Sequence, residues 1–436
     1  MKPILPILIL MGILLSAEAN VSKAQSRKTN YDEAKVPKYS LPDPLLLAEG
    51  TKVTNAKTWK EKRRAEILRL FETQVYGRSP KPSLLQKFSM RSTDLQNGNG
   101  RRHLVEATFG TKEKTVLKMN ILLYLPVRTK GPVPVFLGLN FKGNHTITEE
   151  ADIPITKAWV RNDAKLGITN HKASAKSRGI SSSRWPVNTI LKRGYGLATI
   201  YYGEIDPDFD DGFQNGVHPY FFRKGQTKPA ADEWGSIAAW AWGLSRAVDF
   251  FETLSKNYPE YPIDPKRVIV LGHSRLGKTA LWAGAVDPRF AMVISNDSGC
   301  GGAALSRREF GETVSRINRS FPHWFCGNFK KYDFRVNDLP VDQHMLISLI
   351  APRPVYIASA KEDRWADPRG EFLSALAADA VYRLLGTEGL PTKTMPAVNR
   401  PVSGRIGYHI RSGGHDITAY DWQQYLNFAD KHLRKR

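Results

Sequence analysis

The stretch Arg267-Val268-Ile269-Val270-Leu271-Gly272-His273-Ser274-Arg275-Leu276-Gly277-Lys278 constrains the rest of the chain more than any other. Four β-branched or aliphatic residues in a row have the composition of a strand buried on both faces. The Ala/Leu/Trp-rich run after Gly277 reads as a helix. Between them the chain must turn tightly, which leaves Ser274 at the apex of a strand–turn–helix unit, the device that lifts a serine hydroxyl above a sheet. The usual spacing is G-x-S-x-G, and here the second glycine comes one residue late. Gly272 removes a side chain where strand and helix approach, and the helix N-terminus points backbone N–H groups at the serine.

The segments around this unit alternate in the same sense. Thr58–Tyr76 has helical spacing, with Trp59, Ile67, Leu68, Phe71 and Val75 as one apolar set. Residues 86–126 alternate like antiparallel strands around Asn97-Gly98-Asn99-Gly100. Strands are expected at 133–139, 196–202, 290–295, 354–360 and 406–410, and helices at 236–254 and 422–433. The resulting expectation is an α/β-hydrolase fold: a mainly parallel central sheet with helices on both faces, a three-layer sandwich with inserted loops around the site. The domain plan is a signal peptide at 1–19 (or to 24), an exposed N-terminal arm at 25–57, and one catalytic domain at 58–436. Insertions are expected near 146–192 and 203–230.

Composition enters at two points. Met1-Lys2, the apolar run Ile4 to Leu15 and Ala17-Glu18-Ala19 form a secretory signal with a small-x-small cleavage site. The run is short for a membrane span and holds no lipobox cysteine, so a secreted or periplasmic protein is expected. The chain of 436 residues carries 64 Lys+Arg against 42 Asp+Glu, a net charge of +22. That excess suits an acidic polysaccharide, but the basic residues are scattered and no nucleic-acid motif accompanies them. The two cysteines, Cys300 and Cys326, can form a disulfide in an exported protein or stand as two buried thiols.

A serine needs an imidazole base, and the imidazole needs an acceptor that fixes its tautomer. Of the ten histidines, His415 lies in the loop Ser412-Gly413-Gly414-His415-Asp416 between the last strand and the last helix, where this fold keeps its base. His409 falls inside the strand. Three carboxylates compete as the acid. Asp363 follows the penultimate strand, Glu362 is its neighbour, and Asp297 follows the strand after the elbow. No metal-ligand spacing and no phosphate loop appears, so neither metal nor cofactor is expected.

With these residues in view the chain resembles carbohydrate esterase family 15, the glucuronoyl esterases, in their bacterial form. The resemblance rests on Leu139-Asn140-Phe141-Lys142-Gly143-Asn144-His145-Thr146, on Gly272-His273-Ser274-Arg275-Leu276-Gly277-Lys278, and on Ser298-Gly299-Cys300-Gly301-Gly302. It continues through Phe321-Pro322-His323-Trp324-Phe325 and Asp363-Arg364-Trp365-Ala366-Asp367-Pro368 to His415. It implies cleavage of the ester between (4-O-methyl)glucuronic acid of glucuronoxylan and lignin alcohols through an acyl-enzyme. A monomer is expected. Acetyl-xylan or another carbohydrate ester is the alternative substrate. It also implies that Arg275 stabilises the oxyanion and that Lys278, Glu312 and Trp365 contact the sugar. Two departures stand out. Fungal members hold Glu where this chain has Asp297, and no Gln lies between Gly302 and Glu312.

Overall fold

The computed structural model describes residues 29–81, 84–110 and 115–434, so the expected signal segment lies outside the described residues. Ten strands form one sheet in the order β1-β2-β3-β5-β4-β6-β7-β8-β10-β9. The first three, β1 (Leu85–Asp94), β2 (Gly100–Gly110) and β3 (Thr115–Pro126), are antiparallel, and β3 pairs antiparallel with β5 (Gly196–Tyr201). From β5 the sheet runs parallel through β4 (Val133–Asn140), β6 (Ile263–His273), β7 (Phe290–Asn296), β8 (Val355–Ala360) and β10 (Ile406–Arg411). The two-residue β9 (Val402–Ser403) closes the edge.

Period-two burial divides the core into two. Along β6, Val268 and Val270 face one apolar layer and Ile269 and Leu271 the other. The first layer packs under α2 (Arg64–Gln74), which follows the short α1 (Ala56–Thr58), and under α4 (Ser236–Asn257), α5 (Arg275–Val286), α6 (Val314–Ser320), α7 (Gln343–Ser348) and α8 (Pro368–Leu384). The second packs under α3 (Val187–Lys192) and α9 (Ala419–Leu433). Trp240, Trp242 and Phe250 on α4 are core residues. A π-helical turn, Trp59–Arg63, joins α1 to α2 and keeps Trp59 fully buried.

Three features differ from the sequence expectations. Cys300 and Cys326 are separate buried thiols, so the disulfide alternative does not hold. Burial raises both thiol pKa values, that of Cys326 to about 11, and the Cys326 S–H faces the Thr73 carbonyl at 3.9 Å. The arm is docked rather than exposed along its length. Leu47 and Val53 are buried, and Arg63 donates to the Asp43 and Pro44 carbonyls. Helix α8 has no counterpart among the expected elements. Asp367 caps it by accepting from Gly370 N at 2.9 Å, with Pro368 at the first helical position.

The order of the parallel strands reverses between β4 and β6, since the chain goes from β4 to β5 on one side and to β6 on the other. Crevices beyond the carboxyl ends of strands at such a point are where open α/β sheets bind ligands. The loops after β4, β6, β8 and β10 meet there.

Candidate active site

Ser274 has φ 58° and ψ −130°, a conformation costly for a residue with a side chain, of order 1–3 kcal/mol. Its surroundings impose it. Ser274 N donates to Asn296 O at 2.9 Å, and Ser274 O accepts from Gly277 N and Lys278 N as α5 begins. A Cβ on Gly272 would lie 1.9 Å from Leu276 O, so the turn closes only around glycine. The late Gly277 has its own place, with Gly272 O and Ser298 Cβ each 3.0 Å from where a side chain would start.

A cavity of about 230 Å³ holds Ser274, Arg275 and His415 on its wall. Phe141 and Lys142 come from the loop after β4, and Val160, Arg161, Asn162, Asp163 and Arg184 from the long segment after it. A larger cavity of about 1080 Å³ between β1–β3 and that segment contains neither Ser274 nor His415, and size does not make it the site of chemistry. The Gly143 N–H, a candidate oxyanion donor by position, is already spent on Asn140 Oδ1 at 2.8 Å.

His415 Nδ1–H donates to Asp363 Oδ2 at 2.6 Å. Asp297 lies beside this pair, and one donor atom from each of Asp297, Asp363 and His415 falls within 4.8 Å of the others. Among the described residues this trio is the one cluster with a metal's ligand types, but its charge is already answered. The Arg411 guanidinium donates to Asp297 Oδ2 at 3.3 Å, and Asp363 is bonded to the imidazole. Asp297 Oδ1 is buried without a hydrogen-bond partner. Burial, then the neighbouring Glu371 and Asp363 charges, push the Asp297 carboxyl well above its usual range against the pull of Arg411. Glu362 is exposed and contributes its backbone N–H to Gly413 O at 3.1 Å.

Arg275 projects from the first position of α5 onto Asp208, with which it forms an ion pair. Its guanidinium lies over the Trp324 ring at 5.0 Å, and its Nε–H has no partner. Asp208 Oδ2 also accepts from Tyr202 at 2.9 Å, while Oδ1 accepts from His323 at 3.0 Å and Trp324 at 2.7 Å. Burial raises the Asp208 pKa, but these hydrogen bonds and the Arg275 charge outweigh it and hold the carboxyl far below the usual range. One turn further along α5, the buried Lys278 Nζ donates to Ser298 O at 2.5 Å and stands 3.5 Å from Glu312 Oε2. Glu312 N in turn donates to Trp365 O at 3.0 Å. The helix, the loop before α6 and the loop after β8 thus bring Lys278, Glu312 and Trp365 together.

Three residues that hold the site are absent from the sequence reading. Asp208 sits in an Asp-rich loop that offers several look-alikes. Glu371, on α8, accepts from Ser298 N at 2.8 Å, Gly299 N at 3.0 Å and Ser359 Oγ at 2.6 Å, and full burial pushes its pKa up to about 8. Arg411 donates to Gly414 O at 3.1 Å and Asp416 O at 2.6 Å, which fixes the His415 loop from beneath. The polar His323-Trp324 pair in an apolar motif was the available hint that a buried carboxylate lay opposite.

The chain is 54% identical over 431 residues to a carbohydrate esterase from an unknown prokaryotic organism, covering 99% of this chain and 98% of that one. A solved family 15 carbohydrate esterase from a marine bacterial metagenome, described as promiscuous, superposes with TM-score 0.86 at 55% identity over 93% of this chain and 100% of that one. The chain belongs to carbohydrate esterase family 15. A glucuronoyl esterase from Solibacter usitatus superposes with TM-score 0.85 at 48% identity, over 92% and 100%. The 4-O-methyl-glucuronoyl methylesterase of Schizophyllum commune is 29% identical over 86% of this chain and 81% of that one. The family model for fungal glucuronyl esterases matches residues 221–386. The family 15 chain is a carboxylic ester hydrolase with an α/β-hydrolase fold.

Proposed function

We propose that the enzyme hydrolyses the ester between (4-O-methyl)glucuronic acid on glucuronoxylan and a lignin alcohol, in the periplasm or outside the cell. The observation that carries this reading is the bond from His415 to Asp363 at 2.6 Å on the cavity that also holds Ser274, with the buried Lys278–Glu312 pair one helical turn behind. Ser274 Oγ attacks the uronate carbonyl carbon while His415 takes its proton, and Asp363 stabilises the imidazolium that forms. The carbonyl oxygen gains negative charge toward Arg275, whose cation in a partly dry site favours it strongly. Collapse expels the alcohol, which takes the proton from His415. Water, activated by the same imidazole, then releases the uronic acid and restores Ser274. Lys278, Glu312 and Trp365 read the sugar's hydroxyls and face. The signal-like residues 1–19 support export.

The experiment is hydrolysis of benzyl glucuronate by the purified enzyme and its Ser274→Ala variant. Activity in the first and none in the second is the expected result, and retained turnover in the variant defeats the serine mechanism. Acetylated xylan is the alternative substrate class for the same serine and histidine. Lys278→Ala is expected to depress the uronate ester far more than the acetyl ester.

A further inference from the structure

Beside the sugar-contacting loops lies a second cleft, of about 700 Å³, that the chemistry above does not use. The N-terminal arm builds one of its walls. Gly311 N donates to Asn30 O at 2.8 Å, the Tyr31 ring meets Phe310 edge-on at 6.1 Å, and the Arg364 guanidinium lies over Tyr31 at 5.3 Å. Glu33 anchors the arm on the buried Arg308 at 2.6 Å. The arm is therefore pinned to the two loops that carry Glu312 and Trp365. Gly311 cannot be replaced there, because φ is +63° and a Cβ would lie 2.5 Å from Trp365 O.

The cleft adjoins the loops of the site, since Gly311 and Arg364, which line it, are the sequence neighbours of Glu312 and Trp365. Its opposite wall is α6, which presents Arg316 and Arg319 three residues apart, hence on one face. Arg319 lies over the exposed Phe334 ring at 5.6 Å. Lys35 and Arg364 complete a set of four exposed cations from three separate segments. Two acids also line the cleft: Asp32, which already pairs with Lys35 at 3.4 Å, and Glu309.

We propose that this cleft is a distal subsite for the acidic polysaccharide itself, engaging a further uronate-bearing stretch of the chain whose ester is cut at Ser274. The inference rests on the glucuronoyl esterase reading for the identity of the polymer. Guanidinium forks match a carboxylate in shape and charge, and the Phe334 ring offers a face to a pyranose. The position next to Glu312 and Trp365 makes this occupancy an extension of the same bound chain. Arg316 and Arg319 are its specificity residues and touch no reacting atom.

The test compares the enzyme with its Arg316→Ala/Arg319→Ala variant and, as a stronger form, Arg316→Glu/Arg319→Glu. Both sites are exposed, so the fold is expected to persist, as thermal melting checks. On an esterified glucuronoxylan fraction KM is expected to rise about tenfold in the alanine variant, more in the glutamate variant, with kcat held, reflecting two lost charge-assisted contacts. On benzyl glucuronate neither constant moves. Separately, Ser274→Ala enzyme is expected to be retarded in gels containing 4-O-methylglucuronoxylan, and the added double substitution to abolish the retardation. That gel needs no turnover, so it judges the subsite even if benzyl glucuronate proves not to be a substrate. Unchanged KM on the polymer together with unchanged retardation overturns the proposal. So does an equal loss on polymer and benzyl ester.

Discussion

Asp363 and Asp297 both lie beside His415, and their surroundings differ. Asp363 is bonded to the imidazole N–H and Asp297 is buried with one oxygen unpartnered. Burial and the neighbouring carboxylates push the Asp297 carboxyl upward, which disfavours its charged form, whereas Asp363 already accepts the imidazole N–H and is the acid placed to stabilise an imidazolium. Asp363→Asn is expected to lower kcat on benzyl glucuronate on the order of 10³–10⁴-fold, and Asp297→Asn by far less. The reverse ranking would move the triad acid. Asp208 fixes Arg275, the cation proposed to meet the oxyanion. Asp208→Asn leaves that guanidinium without its counter-charge in a buried setting, at a cost of about 3–5 kcal/mol, and kcat is expected to fall about 10²-fold with it. Because the folded carboxyl titrates below its unfolded value, its contribution is present above the unfolded pKa and lost as pH falls toward the folded one. Melting temperatures below about pH 5 check this: the wild type should lose stability on acidification more steeply than Asp208→Asn. The places of Ser274 and His415 in the fold were legible because each has a local signature, a strand-to-helix turn and a glycine loop after the last strand. Asp208 was not, because what defines it is the set of donors that converge from positions far away in the chain.

The elbow shows how an element tolerates an irregular motif. The position that usually carries the second glycine is Leu276, and the close approach it would make there is made by its carbonyl against Gly272 instead. Gly277, one place on, faces Ser298 and the Gly272 carbonyl. Gly272 is therefore the residue that closes the turn, whichever glycine follows. Gly272→Ala is expected to push Leu276 off by overpacking, at about 1–3 kcal/mol, and to displace the Ser274 hydroxyl. Activity should fall further than stability, read by kcat against the melting temperature. The long strands and the aromatic-rich α4 were legible from composition. Helix α8 has its own signature, since Asp367-Pro368 is a capping pair and Phe372, Ala375, Ala378, Val381 and Tyr382 repeat at helical spacing toward the core. That helix also delivers Glu371 to the Asp297 loop, so the element and a hidden part of the site were missed together.

At the scale of the molecule, the basic excess is partly structural. Arginines here answer backbone carbonyls as often as carboxylates, which is why the cations look scattered in sequence and form no motif. Arg64 donates to Leu349 O and Ala285 O, Arg307 to Val341 O and Leu339 O, and Arg178 to Glu150 O and Ile153 O. The C-terminal end of α5 is the clearest case. Arg353 donates to Gly284 O, to Phe290 O at 2.8 Å, to Asp287 O at 3.2 Å and to Ile350 O at 3.2 Å. Carbonyls at a helix end lack intrahelical partners, and a cation there also meets the negative end of the helix dipole. Burial lowers the Arg353 pKa to about 10, which still leaves it charged at neutral pH. The arrangement ties the end of α5 to the start of β7 and to the approach to β8, the two strands that lead to Asp297 and Asp363. Arg353→Met keeps the side-chain bulk and removes every donor. Orphaned buried carbonyls cost about 1–3 kcal/mol, so the variant is expected to melt earlier by that margin in denaturant titration. Because the far end of α5 carries Ser274, the same variant tests whether the helix is held from one end or both. If α5 is held mainly at the elbow, kcat on benzyl glucuronate stays near the wild-type value while stability falls. If the C-terminal anchor also sets the serine, kcat falls with it.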